Sequence, residues 1–228
     1  MQDVYARVDI KIEDCLFHKD PLSSKLGHKI VEASIALIHE IGFDLFTFRK
    51  LAERIGSSEA SIYRYFESKH KLLLYLCNWY WSWLDYRLAF ATTNIHSPLK
   101  RLRRAILLLT ADAIEDDGIS HIDEQKLHQV VLAESLKAYL VKEVDEENQE
   151  GVYHSYKRLI QHVSEIILEI NPNYKYPDML ITTVIEGAHL QRHFAQHLPK
   201  LTNAVEGEDA VANFYMDIVF KAIQTPQS

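Results

Sequence analysis

The sequence predicts an all-α chain: a three-helix head with a helix-turn-helix, joined by a long helix to a larger helical body, about nine helices in all. Three observations carry this. Seven glycines and six prolines in 228 residues are few for a strand-rich architecture with many turns. Apolar residues recur at helical spacing through most of the chain. One stretch, Thr47 to Lys71 (TFRKLAERIGSSEASIYRYFESKHK), makes every local choice consistently for two short helices and a tight turn between them.

Residues 1–21 come first and fit least well. Val4, Ala6, Val8, Ile10 and Ile12 alternate with polar residues, a strand pattern with nothing to pair with inside a helical domain. The segment reads as a loosely ordered arm; docking on its own body or pairing with a second copy is the alternative. Asp20-Pro21 and Ser23 then supply start signals for a first helix. Its inner face is Ile30, Ala33, Leu37, Ile38 and Ile41, and Gly42 ends it, with Phe43 folding back.

In the paired helices, Thr47 caps the first, whose buried face is Leu51, Ala52 and Ile55. Ala52 is small because two helices cross closely there. Gly56 supplies a left-handed residue at the exit. Ser57 or Ser58 caps the second helix, which buries Ile62 with Tyr65 or Phe66, and Ser68 caps the next helix along. A long amphipathic helix is expected from Lys69 to about Thr92, another from Pro98 to about Glu115, and one or two shorter ones between Ile119 and Asn148. Glu150 to Ile170, Pro177 to just before Pro199, and Asp209 to Gln224 complete the series. The expected segments are the arm at 1–21, a helix-turn-helix head at 22–70 whose second helix is shaped to enter a DNA groove, and a helical body at 71–228, to which ligand binding and dimerisation are assigned below.

The stretch LAERIGSSEASIYRYFESKHKLL, preceded by KIVEASIALIHEIGFDLFT from Lys29 to Thr47, resembles the N-terminal domain of the TetR family of transcriptional regulators. Its most specific part is Ile62-Tyr63-Arg64-Tyr65-Phe66 followed by Lys69, Leu72 and Leu73. The resemblance covers roughly the first third of the chain. It is specific for that domain and silent about any ligand. A single reading head covers few base pairs, so a two-fold dimer on a palindromic operator is expected, and the chain is read as a repressor that answers to a small molecule bound in the body.

The net charge of −7 runs against DNA binding, but the local field decides phosphate attraction. From about Leu22 to Tyr75 basic residues slightly outnumber acidic ones. Moderate affinity with clear salt dependence is expected. Thr47, at a helix N-terminus, offers phosphate a hydroxyl and backbone N–H groups. The family resemblance adds Tyr63 and Lys69 as phosphate contacts, with Tyr65, a position that often holds His or Tyr, doing similar work. Base reading falls to the exposed start of the second helix: Ser57, Ser58, Glu59, Ala60, Ser61 and Arg64. An Arg64 fork suits guanine or phosphate equally, and Glu59 suits a cytosine amino group or the helix dipole. For both tyrosines, packing within the head is the competing reading.

In the body, the family resemblance points to the last two helices as the dimer interface. Ile181, Val184, Ile185 and Ala188 on one, with Phe214, Tyr215 and Ile218 on the other, supply that interface or simply the core. Trp83 and Tyr86 line a ligand pocket or pack head against body. His189, His193 and His197 share one helical face, yet no matching cysteine or carboxylate completes a metal site. No metal, cofactor or catalytic constellation is expected: phosphate-cradling glycine loops and nucleophile elbows are absent from the sequence. No apolar run is long enough to cross a bilayer, and the N-terminus lacks a signal-peptide core. With two cysteines at no metal spacing, the expected location is cytoplasmic. The partners expected are double-stranded DNA, a second copy and an unknown effector. The other reading is a helical protein-interaction or metal/ligand-binding module that no longer reads DNA.

Overall fold

Hydroxyl caps decide where the first helices begin. In the computed structural model, which describes residues 10, 12–112, 122–203 and 207–224, Ser24 accepts from the Gly27 amide at 3.1 Å and starts α1 (Lys25–Leu45). The Asp20-Pro21 signal belongs instead to a single 3-10 turn, Pro21–Ser23, just ahead of it. Thr47 accepts from the Lys50 amide at 3.2 Å and starts α2 (Phe48–Ile55). Ser58, rather than Ser57, accepts from Ser61 at 3.3 Å and starts α3 (Glu59–Tyr63). Ser68 accepts from Lys71 at 3.2 Å near the start of α4 (Lys69–Thr92), whose far end lies where the periodicity predicts. Such caps satisfy amides that the first helical turn leaves without a carbonyl.

The remaining helices are α5 (Pro98–Thr110), α6 (Glu124–Glu134), α7 (Leu136–Tyr139), α8 (Val144–Gln149), α9 (His154–Ile170), α10 (Pro177–His197) and α11 (Ala210–Ala222). The described residues thus hold eleven α-helices and no strand, more than the expected nine because the middle region divides into three short pieces. α5 ends at Thr110, short of Glu115, and α9 starts at His154, behind a turn closed by the Val152 amide on the Glu147 carbonyl at 3.0 Å. No described helix is long and apolar enough to cross a membrane.

Contacts group the chain into two compact units, each discontinuous in sequence: Met1–Trp83 with Ala113–Ser155, and Leu84–Asp112 with Tyr156–Ser228. This grouping does not follow the expected division at residue 70, because α6 to α8 lie in the same unit as the helix-turn-helix. In the first unit α1 packs on α2 and α6, and α2 on α3. Leu72 to Trp83 of α4 are buried without interruption, so this stretch is a central helix with no solvent face. Two of its polar tips find partners across the unit. The Tyr80 hydroxyl meets His128 Nδ1 at 2.7 Å, and Trp81 Nε1 donates to the Tyr139 hydroxyl at 2.6 Å. In the second unit α5, α10 and α11 pack pairwise, around Leu102, Ile106, Ile185 and Val219.

The described part of the N-terminal segment is docked on the first unit rather than loose. Leu16 is buried, Phe17 sets its ring edge-on to Tyr75 at 6.0 Å, and the His18 amide donates to the Tyr65 carbonyl at 2.8 Å. The alternating residues Val4, Ala6 and Val8 lie outside the described residues.

Candidate nucleic-acid interface

The helix-turn-helix is assembled from its buried residues outward. Leu51, Ala52 and Ile55 of α2 and Ile62 of α3 are buried, together with Phe66 just beyond. Gly56 takes φ 64° and ψ 42°, the left-handed conformation that reverses the chain after α2. What remains outside is a short polar face. Thr47, Ser58, Glu59, Ala60, Tyr63 and Arg64 are exposed, with Ser57 and Ser61 half-buried beside them. The hydroxyls of Ser58 and Ser61 lie 2.9 Å apart, and Arg64 Nη2 reaches Ser61 Oγ at 3.4 Å.

The two tyrosines part company. Tyr63 is 49% exposed and rests edge-on against Phe48, ring centroids 5.0 Å apart, which fixes its direction. Tyr65 is 3% exposed, its hydroxyl 2.8 Å from Ser24 Oγ and the Lys19 ammonium 5.3 Å from its ring centroid. Tyr65 is therefore a packing residue here and presents nothing to a duplex. Lys69 is also committed inward. Its ammonium donates to the carbonyls of Phe43 (3.1 Å), Asp44 (3.3 Å) and Phe46 (3.3 Å) and lies 4.7 Å from the Phe43 ring centroid. An ammonium has three N–H donors, and three carbonyls take them.

The other cations of the head are largely neutralised nearby. Arg54 forms a two-pronged pair with Glu40 (2.5 and 2.6 Å), and the hydrogen bonds from Arg54 hold the Glu40 carboxyl below its usual range. Arg49 pairs with Glu53 at 3.1 Å, and Lys29 and Lys50 donate to the carbonyls of Ile55 and Leu45. Arg64 has a hydroxyl for its partner and no carboxylate among the described residues, which makes it the head's most available cation beside α3.

Residues 30–76 match the family model of bacterial regulatory proteins, tetR family. The helix-turn-helix head is thus a TetR-family domain, and the chain is a DNA-binding transcriptional regulator. No curated protein matches the sequence. Among solved structures the chain is similar to the superantigen PfiT (14% identity over 89% of this chain and 97% of that one, TM-score 0.58). It is also similar to Mycobacterium smegmatis AmtR (13%, 87% and 86%, TM-score 0.54). A third is AibR, solved in complex with isovaleryl coenzyme A and operator DNA (16%, 83% and 93%, TM-score 0.52). At these identities the likeness concerns the fold.

The body residues singled out from the sequence separate by burial. Ile181, Val184, Ile185 and Ala188 are buried, on the face of α10 that meets α5 and α11. Tyr215 is buried as well, whereas Ile218 is half-buried and Phe214 exposed. An apolar helical face looks the same in sequence whether it meets its own core or another chain. The apolar residues that face outward are instead Met179 and Leu190 of α10 and Phe214 of α11. Trp83 is buried and stacked on Trp79 at 6.4 Å, while Tyr86 is exposed. His189 is buried; His193 and His197 are exposed with rings 4.6 Å apart. Among the described residues no three His, Cys, Asp or Glu side chains gather as a metal site would require. Sequence reasoning missed Phe48 as the support of Tyr63, although an aromatic directly after the Thr47 cap was visible.

Proposed function

We propose that this protein is a ligand-responsive repressor that binds a palindromic operator as a dimer and acts by binding rather than by catalysis. One observation carries the reading: the exposed face of α3 and its cap, Ser58, Glu59, Ala60, Tyr63 and Arg64, stands on a core that buries Ile62 and Phe66. Tyr63 and the Thr47 cap position the backbone phosphates. Ser57, Ser58, Glu59, Ala60, Ser61 and Arg64 face the bases, with Arg64 suited to a forked contact with guanine. Lys69 contributes by holding the corner before α2 instead of touching phosphate.

A single short reading helix covers few base pairs, so two copies related by a two-fold axis read two half-sites. The outward residues Met179, Leu190 and Phe214 support α10 and α11 as the face a second copy covers. AibR, of similar fold, is solved with both operator DNA and isovaleryl coenzyme A, which supports a body that takes a small effector. An effector that prefers one conformation of the body shifts the DNA-competent population.

The test is selection of bound duplexes from a random DNA pool by the purified protein, followed by affinity measurements against salt. A palindrome with a clear salt slope is the expected result. A folded, ligand-free protein that enriches no duplex overturns the reading and leaves a helical interaction module.

A further inference from the structure

We propose that Glu134, at the end of α6, is a positioning residue for DNA reading: its carboxylate holds the corner from which α2 and α3 depart. The inference rests on the DNA-binding reading above and adds the element that sets the pose of the head.

The corner begins where α1 is broken. Gly42 takes φ 74° and ψ 158°, a conformation essentially restricted to glycine, and the Phe43 amide turns out of the helical ladder. That amide donates to Glu134 Oε1 at 2.9 Å, a buried bond between residues 91 apart in sequence. Glu134 is itself buried, 7% exposed. The carbonyl side of the same corner is held by Lys69, and the Asp44 carboxylate by Lys137 of α7 at 2.8 Å. Lys137 also pairs with Glu134 at 2.8 Å, and His39 of α1 meets Gln129 of α6 at 2.5 Å. Thr47, which caps α2, lies four residues beyond Phe43, so whatever fixes the corner fixes the start of the helix-turn-helix.

The chemistry makes this a position-sensitive link. A carboxylate accepting from an amide is among the stronger hydrogen bonds, and it weakens steeply with distance. Displacing α6 by an ångström leaves the buried Phe43 amide poorly partnered, a costly state, while the carboxylate keeps Lys137 beside it. The corner therefore follows α6, and α6 sets the pose in which α3 meets DNA.

The test uses the full-length protein and the duplex selected by the wild type, at a temperature where circular dichroism shows each variant folded. Glu134→Ala is expected to weaken operator binding at least about tenfold and to speed hydrogen exchange at the Phe43 amide. Glu134→Gln keeps an oxygen at the same reach and is expected to bind within about threefold of wild type. Glu134→Asp keeps the charge but withdraws it by one methylene, so it is expected to bind more weakly than Glu134→Gln. A folded Glu134→Ala protein with wild-type affinity and unchanged Phe43 exchange overturns the proposal. If Glu134→Ala does not fold, the conservative pair decides: Glu134→Asp binding as well as or better than Glu134→Gln overturns it, and the reverse order supports it. A wild type that selects no duplex fails the DNA reading and the proposal together, whereas a wild type that selects one beside an indifferent Glu134→Ala fails the proposal alone.

Discussion

The hydroxyl of Tyr65 and the side chain of Ser24 share a hydrogen bond of 2.8 Å, which ties the segment after α3 to the cap of α1. The bond lies inside the head, away from the face that Tyr63 presents. Tyr65→Phe is therefore expected to lower unfolding free energy by about 1 kcal/mol and to leave operator affinity unchanged. Denaturant unfolding beside a binding isotherm checks both halves.

Lys69 and Tyr63 should give opposite signatures. Lys69→Ala removes the donor to three corner carbonyls and is expected to cost about 1–3 kcal/mol of stability. Because its ammonium already faces carbonyls, the slope of log affinity against log salt should stay as in wild type. A slope shallower by about one would instead mark a phosphate contact. Tyr63→Phe should leave stability nearly unchanged and weaken binding to all duplexes alike.

Arg64→Ala is expected to cost about 1–3 kcal/mol of binding and to relax preference at one base position. Repeating the duplex selection with the variant reads this directly. An unchanged consensus with uniformly weaker binding would assign Arg64 to phosphate.

Much of the head was legible because its determinants are local. The caps at Thr47 and Ser58, the reversal at Gly56 and the end of α4 at Thr92 each depend on residues within a turn or two. The inward turn of Tyr65 was not legible. Its partner Ser24 lies 41 positions away, and two tyrosines spaced by two on a helix look alike in sequence. The same holds for Ile181 and Ile185: periodicity marks an apolar face without saying whether α5 or a second chain covers it. Glu134 gave no signal at all, being one acidic residue at the end of an ordinary helix.

Gly42→Ala tests the break in α1. A Cβ there would lie 3.7 Å from Glu134 Oε1, an ordinary contact, so the penalty is conformational and not steric. A loss of about 1–3 kcal/mol is expected, read as a lower melting temperature, with DNA affinity falling as the corner shifts.

Acid stability should depend on Asp85 in the second unit. Burial alone would raise its pKa, but hydrogen bonds from His162 (3.1 Å) and Arg158 (2.8 Å) outweigh that and hold it below the usual range. A carboxylate held low in the folded state stabilises it above the unfolded pKa of about 3.9, and that contribution is lost as pH falls through the folded value. Asp85→Asn is expected to flatten the fall of unfolding free energy on the acid side of about pH 5, measured by urea titrations at stepwise lower pH.

The first unit joins residues from both sides of a long excursion in the chain, and this sets an order of events during synthesis. Translation at about 5–20 residues per second places the 91 positions between Phe43 and Glu134 roughly 5–18 s apart. Through that interval the nascent head carries a corner whose amide has not yet met its carboxylate. A gene fragment cut after the helix-turn-helix preserves this unfinished condition permanently. Reporter fusions built on such fragments would measure an adolescent form of the head, not the one the mature chain carries to DNA.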